Sequence, residues 1–127
     1  MSPGDEGSPA RSPGRARAGV APDRGDVVWI TLDPQVGHEQ RGRRPALVLS
    51  PRAYNARVGL GLFCPITSQA KGYPFEVPLP AGLPVSGVVL ADQVRSMDWR
   101  GRDARPLGRV PAQVIAHVLR RLDALLE

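Results

Sequence analysis

The chain has 127 residues, enough for one compact core and too few for two domains. Its 17 basic residues outnumber its 12 acidic ones, and all but one of the basic residues are arginine, so the surface attracts polyanions unless those arginines merely spread over solvated faces. One cysteine, Cys64, and two histidines, His38 and His117, exclude a structural zinc site and an internal disulfide, and the lack of any run near the roughly 20 apolar residues of a membrane span, or of a signal-peptide core, predicts a cytoplasmic protein that does not engage a membrane.

Residues 1–24 are rich in Gly, Pro, Ser and Arg and nearly free of large apolar side chains, which predicts a flexible leader that cannot offset the entropy of ordering. Arg11, Arg15, Arg17 and Arg24 allow a second reading, an arm that attracts polyanions. From Gly25 the texture changes to short β-prone runs between turn residues, the pattern of a small sheet or barrel spanning 25–127. The first strand is predicted over 27–32 (VVWITL), and 45–50 (PALVLS) follows after a long polar connection. A short turn or helical piece over 51–57 leads to a strand over 58–66 (VGLGLFCPI). Tyr73, Phe75, Val77 and Leu79 alternate with Pro74, Glu76 and Pro78, a period of two whose prolines suit an edge strand. Residues 85–91 (VSGVVLA) form the next candidate. Val114, Ile115, Val118, Leu119, Leu122, Leu125 and Leu126 share one side at helical spacing, with Pro111 suited to the first turn, so a C-terminal amphipathic helix covers one face of the sheet. His117 lies beside that stripe as a boundary residue. The fold class is mainly β with a helix, an α+β arrangement.

Three polar segments can carry chemistry. The connection 33–44 (DPQVGHEQRGRR) is too long and too charged for a tight hairpin and sets Glu39, Gln40, Arg41, Arg43 and Arg44 within six positions, as a functional loop or a solvated one. The segment 67–72 (TSQAKG) offers the hydroxyls of Thr67 and Ser68, the amide of Gln69 and the chain's one lysine, Lys71; such groups hydrogen-bond phosphate, and they also make ordinary turns. In 92–102 (DQVRSMDWRGR), Gln93, Arg95 and Arg100 interleave with Met97 and Trp99, a mixture suited to an unstacked base and its phosphate, with Trp99 either a stacking platform or a core residue.

The stretches GDVVWITLDP, HEQRGRRPALVLSP with a nearby YN, CPITSQAKGYPFEVPL and GVVLADQVRSMDWR, in this order, closely resemble the MazF/PemK family of toxin endoribonucleases, from Gly25 to the end of the chain. The resemblance implies an SH3-like small β-barrel, a homodimer with an RNA groove across the subunit interface, and a MazE-like antitoxin as partner. It maps the family's arginine and threonine pair onto Arg44 and Thr67, and its motif glutamate and glutamine onto Glu39 and Gln40. The chain departs from common relatives in its long leader and in the extra arginines Arg41 and Arg43, which bears on the preferred RNA sequence.

RNA carries its own nucleophile, the 2′-hydroxyl, so cleavage needs no metal and no cofactor; it needs a base, positive charge for the transition state and a proton for the leaving 5′ oxygen. Arg44 suits charge stabilisation because a guanidinium stays protonated and forks onto phosphate oxygens. Glu39 is the nearest candidate base, or else an ion-pair partner of Arg41 or Arg43, and Thr67 orients the phosphate or the 2′-hydroxyl. The expected catalytic set is thus Arg44, Thr67 and Glu39. The expected contacts to single-stranded RNA are Gln40, Arg41, Arg43, Ser68, Gln69, Lys71, Gln93, Arg95 and Trp99. The products implied are a 2′,3′-cyclic phosphate and a 5′-hydroxyl, and loss of mRNA would stop translation and growth. The alternative is a non-enzymatic module on the same barrel, an RNA binder or a CcdB-like gyrase poison; Arg44 together with Thr67 favours the nuclease.

Overall fold

The computed structural model describes residues 20–32 and 42–127. The expectations for Glu39, Gln40 and Arg41, and for the leader as far as residue 19, lie outside the described residues. Within them the order is β1 (Asp26–Thr31), β2 (Arg43–Val48), α1 (Arg52–Val58), β3 (Gly61–Thr67), β4 (Glu76–Pro78), β5 (Val88–Leu90), a 3-10 turn (Ala91–Gln93), β6 (Arg95–Met97), β7 (Arg105–Arg109) and α2 (Ala112–Leu126).

The apolar runs of β1, β2 and β3 are continuous rather than alternating because both faces of the sheet are buried. Successive side chains of a strand point to opposite faces. On one face Val27, Leu47, Cys64 and Ile66 meet Val77, Val89 and, from α2, Val114 and Val118. On the other, Val28, Ile30, Ala46, Val48 and Phe63 pack with Ala21, Met97 and Trp99. Phe63, Ile30 and Leu47 are fully buried, each burial favouring the fold by about 1.5–3 kcal/mol. Only part of the expected α2 stripe is used: Leu119, Leu125 and Leu126 stay exposed.

The strands run in the order β4-β5-β3-β2-β1-β7, with antiparallel neighbours, and β6 also pairs with β3. β3 therefore serves three partners. One edge pairs with β2 (Ala46↔Pro65, Leu47↔Cys64, Val48↔Phe63). The other pairs first with β6 (Gly61↔Met97) and then with β5 (Thr67↔Val88).

The element boundaries differ from the sequence reading for local reasons. α1 runs on to Val58 and stops at Gly59, whose φ of 82° supplies the left-handed cap, so β3 begins at Gly61. β6 lies inside the polar segment 92–102 and β7 in a stretch with no predicted element, because RSM and RPLGR carry little β signal and are recruited by the open edges of β3 and β1. The chain also joins the fold before Gly25: Ala21 and Pro22 are buried, and Arg24 Nε donates to the Leu49 carbonyl at 2.6 Å.

Asn55 ties this early segment down. Fully buried in α1, it donates from Nδ2 to the Pro22 and Ser50 carbonyls at 2.8 and 2.9 Å and accepts the Ser50 hydroxyl on Oδ1 at 2.6 Å. Its backbone carbonyl accepts Trp99 Nε1 at 3.0 Å. Replacing Asn55 by Ala leaves buried groups without partners, so it should destabilise the fold by about 2–4 kcal/mol, at roughly 1–3 kcal/mol per orphaned group. Urea denaturation should show this as a lower midpoint with an unchanged slope.

Candidate functional site

The registers bring two separate segments onto one wall. The β2–β3 pairing ends at Ala46↔Pro65, and two residues beyond on each strand stand Arg44 and Thr67, both on the face that Ala46 and Pro65 share. Both line a groove of about 760 Å³. Ser68 and Gln69 continue its wall beyond β3, Gln93 and Arg95 enter from the 3-10 turn and β6, and Leu32, Pro45, Pro65, Ile66 and Leu90 supply an apolar surface. Val85 and Ser86, from the connection before β5, complete it. Among the described residues no carboxylate lines the groove, so the charge there comes from the guanidinium groups of Arg44 and Arg95.

The structure sorts the arginines by what their guanidinium groups already hold. Arg44 is exposed, and its hydrogen bond among the described residues is a long one, 3.4 Å to the Arg43 carbonyl. Its neighbour Arg43 is only 6% exposed. Arg43 donates to the Trp29 and Asp103 carbonyls at 3.0 and 2.8 Å and to Thr31 Oγ1 at 3.0 Å, and it lies 3.5 Å from the Asp103 carboxylate. It braces β1 against the turn before β7, so the place expected for it on RNA is not where its side chain goes. Strand alternation is the cause: one residue later the side chain emerges on the other face.

Arg102 and Arg95 both donate to the Leu32 carbonyl, at 2.9 and 3.4 Å, and Leu32 N–H donates to the Gly42 carbonyl at 2.9 Å. Leu32, which lines the groove, is thus paired with Gly42, two residues before Arg44.

Thr67 has a defined hydroxyl. Its Oγ1 accepts the Gln69 backbone N–H at 3.1 Å, so one lone pair is occupied and the O–H proton is left to donate elsewhere. Lys71 is exposed but does not line the groove; its backbone N–H is held by Glu76. Trp99 is 2% exposed, with its N–H given to Asn55 and Arg100 stacked 4.7 Å over its ring. It is a core residue, away from the groove, because β6 turns that segment inward at Met97.

Sequence reasoning missed Ser86 and Val85, which look like ordinary residues of an apolar run, and the carboxylate of Glu76, which looks like the polar side of an edge strand. No sequence signal marks Ser86. Glu76 is marked only by its place shortly after the TSQAKG loop. Cys64, behind the groove, is fully buried, and burial, with a smaller contribution from the nearby Asp92 charge, pushes its thiol up to about 12. It has no thiolate to offer near neutral pH. Among the described residues no group of three His, Cys, Asp or Glu side chains is placed to hold a metal ion.

Comparison with known proteins adds three findings. A family model described as "PemK-like, MazF-like toxin of type II toxin-antitoxin system" matches residues 23–126. The Endoribonuclease toxin MazF of Escherichia coli (strain K12) is 47% identical over 105 residues, covering 83% of this chain and 94% of that one. The crystal structure of MazF (Form-I) from Deinococcus radiodurans has a TM-score of 0.77 at 62% identity over 84% of this chain and 96% of that one; a MazE-MazF structure (Form-II) from the same organism has a TM-score of 0.75 at 57% identity, covering 84% and 95%.

The burial of Cys64 makes a prediction about the groove. Cys64→Ala should leave RNA cleavage within about twofold of wild type, and iodoacetamide at pH 8 should alkylate the native protein only as fast as it opens, read by mass spectrometry. Rapid alkylation with loss of activity would mean that the thiol is accessible from the groove.

Proposed function

Because the chain belongs to the PemK-like, MazF-like toxin family of type II toxin-antitoxin systems, we propose that it is an endoribonuclease that cuts single-stranded RNA in the groove between Arg44 and Thr67. The observation that carries this reading is the placement of Arg44, with little else to hold, in one groove with a threonine hydroxyl poised to donate and no described carboxylate.

The chemistry follows from those groups. The 2′-oxygen attacks the adjacent phosphorus in line, the phosphorus–5′-oxygen bond breaks, the leaving 5′ oxygen takes a proton from water, and the products are a 2′,3′-cyclic phosphate and a 5′-hydroxyl. Arg44 forks onto the non-bridging oxygens as negative charge grows on them. Thr67 donates a hydrogen bond from its hydroxyl to the same phosphate and sets its orientation, with one of its lone pairs already taken by Gln69 N–H. Glu39 takes the 2′ proton, a role supported by its position in the motif shared with the family. Ser68, Gln69, Gln93 and Arg95 hold the flanking nucleotides, with the apolar wall behind the bases.

The same reading makes the protein a cytoplasmic homodimer that stops growth by cutting mRNA. It also gives the protein a cognate antitoxin, supported by the MazE-MazF complexes of a relative 57% identical. An acidic antitoxin segment that orders on binding would cover the positive groove and compete with RNA.

Cleavage should persist in EDTA and should stop on a substrate whose scissile ribose is 2′-deoxy; full cutting of the deoxy substrate would sink the internal-nucleophile mechanism. Arg44→Ala should lower the rate by roughly 100- to 1,000-fold with little change in thermal stability, and Arg44→Lys should recover only part of it. Antitoxin and an uncleavable RNA analogue should exclude one another in a competition titration, and antitoxin association should slow as salt rises.

A further inference from the structure

Glu76 does not line the groove, yet it holds the backbone two residues beyond the amide that contacts the Thr67 hydroxyl. Both carboxylate oxygens of Glu76 accept backbone N–H groups across the turn: Oε2 takes Lys71 at 2.9 Å and Oε1 takes Gly72 at 2.9 Å. Glu76 is itself held in β4 by Val77↔Val89 beside it and by its own N–H to the Tyr73 carbonyl at 3.1 Å. The carboxylate therefore ties the far end of the 67–72 segment to the sheet. The near end is clamped separately. Thr67 pairs with Val88, and Gly87, at φ +115°, lies so close that a Cβ would run into the Thr67 carbonyl oxygen and stand 2.8 Å from Ser68 Cα. Between those two ends lies Gln69, whose N–H fixes the Thr67 hydroxyl at 3.1 Å. With the Thr67 backbone clamped by β5, the remaining freedom that can turn its hydroxyl is the placement of Gln69, and Glu76 restrains the segment that carries it.

We infer that Glu76 is a positioning residue for RNA cleavage, acting through the backbone of residues 69–72 to aim the Thr67 hydroxyl into the groove. A carboxylate accepting backbone N–H groups makes strong, directional bonds, and a misplacement of about 1 Å in a reacting group can lower a rate by about 100-fold. The same restraint keeps Ser68 and Gln69 against the substrate, but the orientation that matters for chemistry is that of Thr67.

The inference rests on the catalytic reading of Thr67, and a double-mutant cycle separates the two. Single-turnover cleavage of a defined RNA would be measured for wild type, Glu76→Ala, Thr67→Ala and the double variant, with KM measured in parallel. Glu76→Ala should lower the cleavage step roughly 10- to 100-fold while KM changes less than about threefold, and Glu76→Gln, which keeps one acceptor oxygen, should recover part of the rate. On the Thr67→Ala background the Glu76→Ala loss should shrink to under about threefold, because there is no hydroxyl left to misplace. Amide exchange at Lys71 and Gly72 should quicken in Glu76→Ala while strands β1 to β3 keep their protection, which also shows that the variant is folded. If Thr67→Ala cuts at the wild-type rate, the catalytic reading of Thr67 fails. If Thr67→Ala is slow but Glu76→Ala is as fast as wild type, or loses as much rate with Thr67 absent as with it present, the positioning role is overturned and the nuclease reading stands.

Discussion

Strand β3 carries three pairings at once, and the groove exists because its last residues are claimed from both sides. β2 holds one edge, β6 and β5 divide the other, and the side chains of Phe63, Cys64 and Ile66 are drawn alternately into the two cores. A seven-residue strand locked in this way has little freedom to slip, since a shift of one residue would expose both buried sets together. Thr67 inherits that rigidity as the residue where the strand leaves the cores. Arg44 inherits the same rigidity from the opposite strand, as the residue where β2 first meets solvent.

The arginines divide into structural and available ones, and the division explains how so basic a small protein keeps its charge useful. Arg24, Arg43, Arg52 and Arg102 give N–H donors to backbone carbonyls of Leu49, Trp29, Ala21 and Leu32, satisfying groups that would be costly to bury alone. Arg105 and Arg109 lie against Asp103 and Asp26. Arg44 and Arg95 make only long bonds of 3.4 Å among the described residues, and they are the two arginines that line the groove. A positively charged groove with an apolar rear wall suits an unstacked strand, whose phosphates and base faces need different surfaces.

The segment around Asn55 performs a similar service for the opposite side of the molecule. It joins Pro22, Ser50 after β2, and the indole of Trp99 through the buried Asn55 amide and its carbonyl, and Ala21 through Arg52 Nε, so the second core is closed by polar bonds as well as by packing. This is why Trp99 is spent on the fold and why the early residues, so poor in apolar groups, are nonetheless ordered from Ala21 onward.

Much of the architecture was legible in the chain itself. Continuous apolar runs marked β1, β2 and β3, the short piece after Pro51 marked α1, and the apolar spacing after Pro111 marked α2, because each signal is local and has one cheap solution in backbone geometry. The four motifs pointed to the family and to Arg44 and Thr67. What the chain could not disclose was which of two adjacent arginines faces the groove, that Trp99 turns inward, or that β6 and β7 exist where propensity is weak. Those outcomes depend on register and on which edge was left unpaired, and both are set by contacts between residues far apart in sequence. The pairing of Glu76 with the backbone of Lys71 and Gly72 belongs to the same class: composition can place a carboxylate near a loop, but only the folded sheet decides which amides it holds.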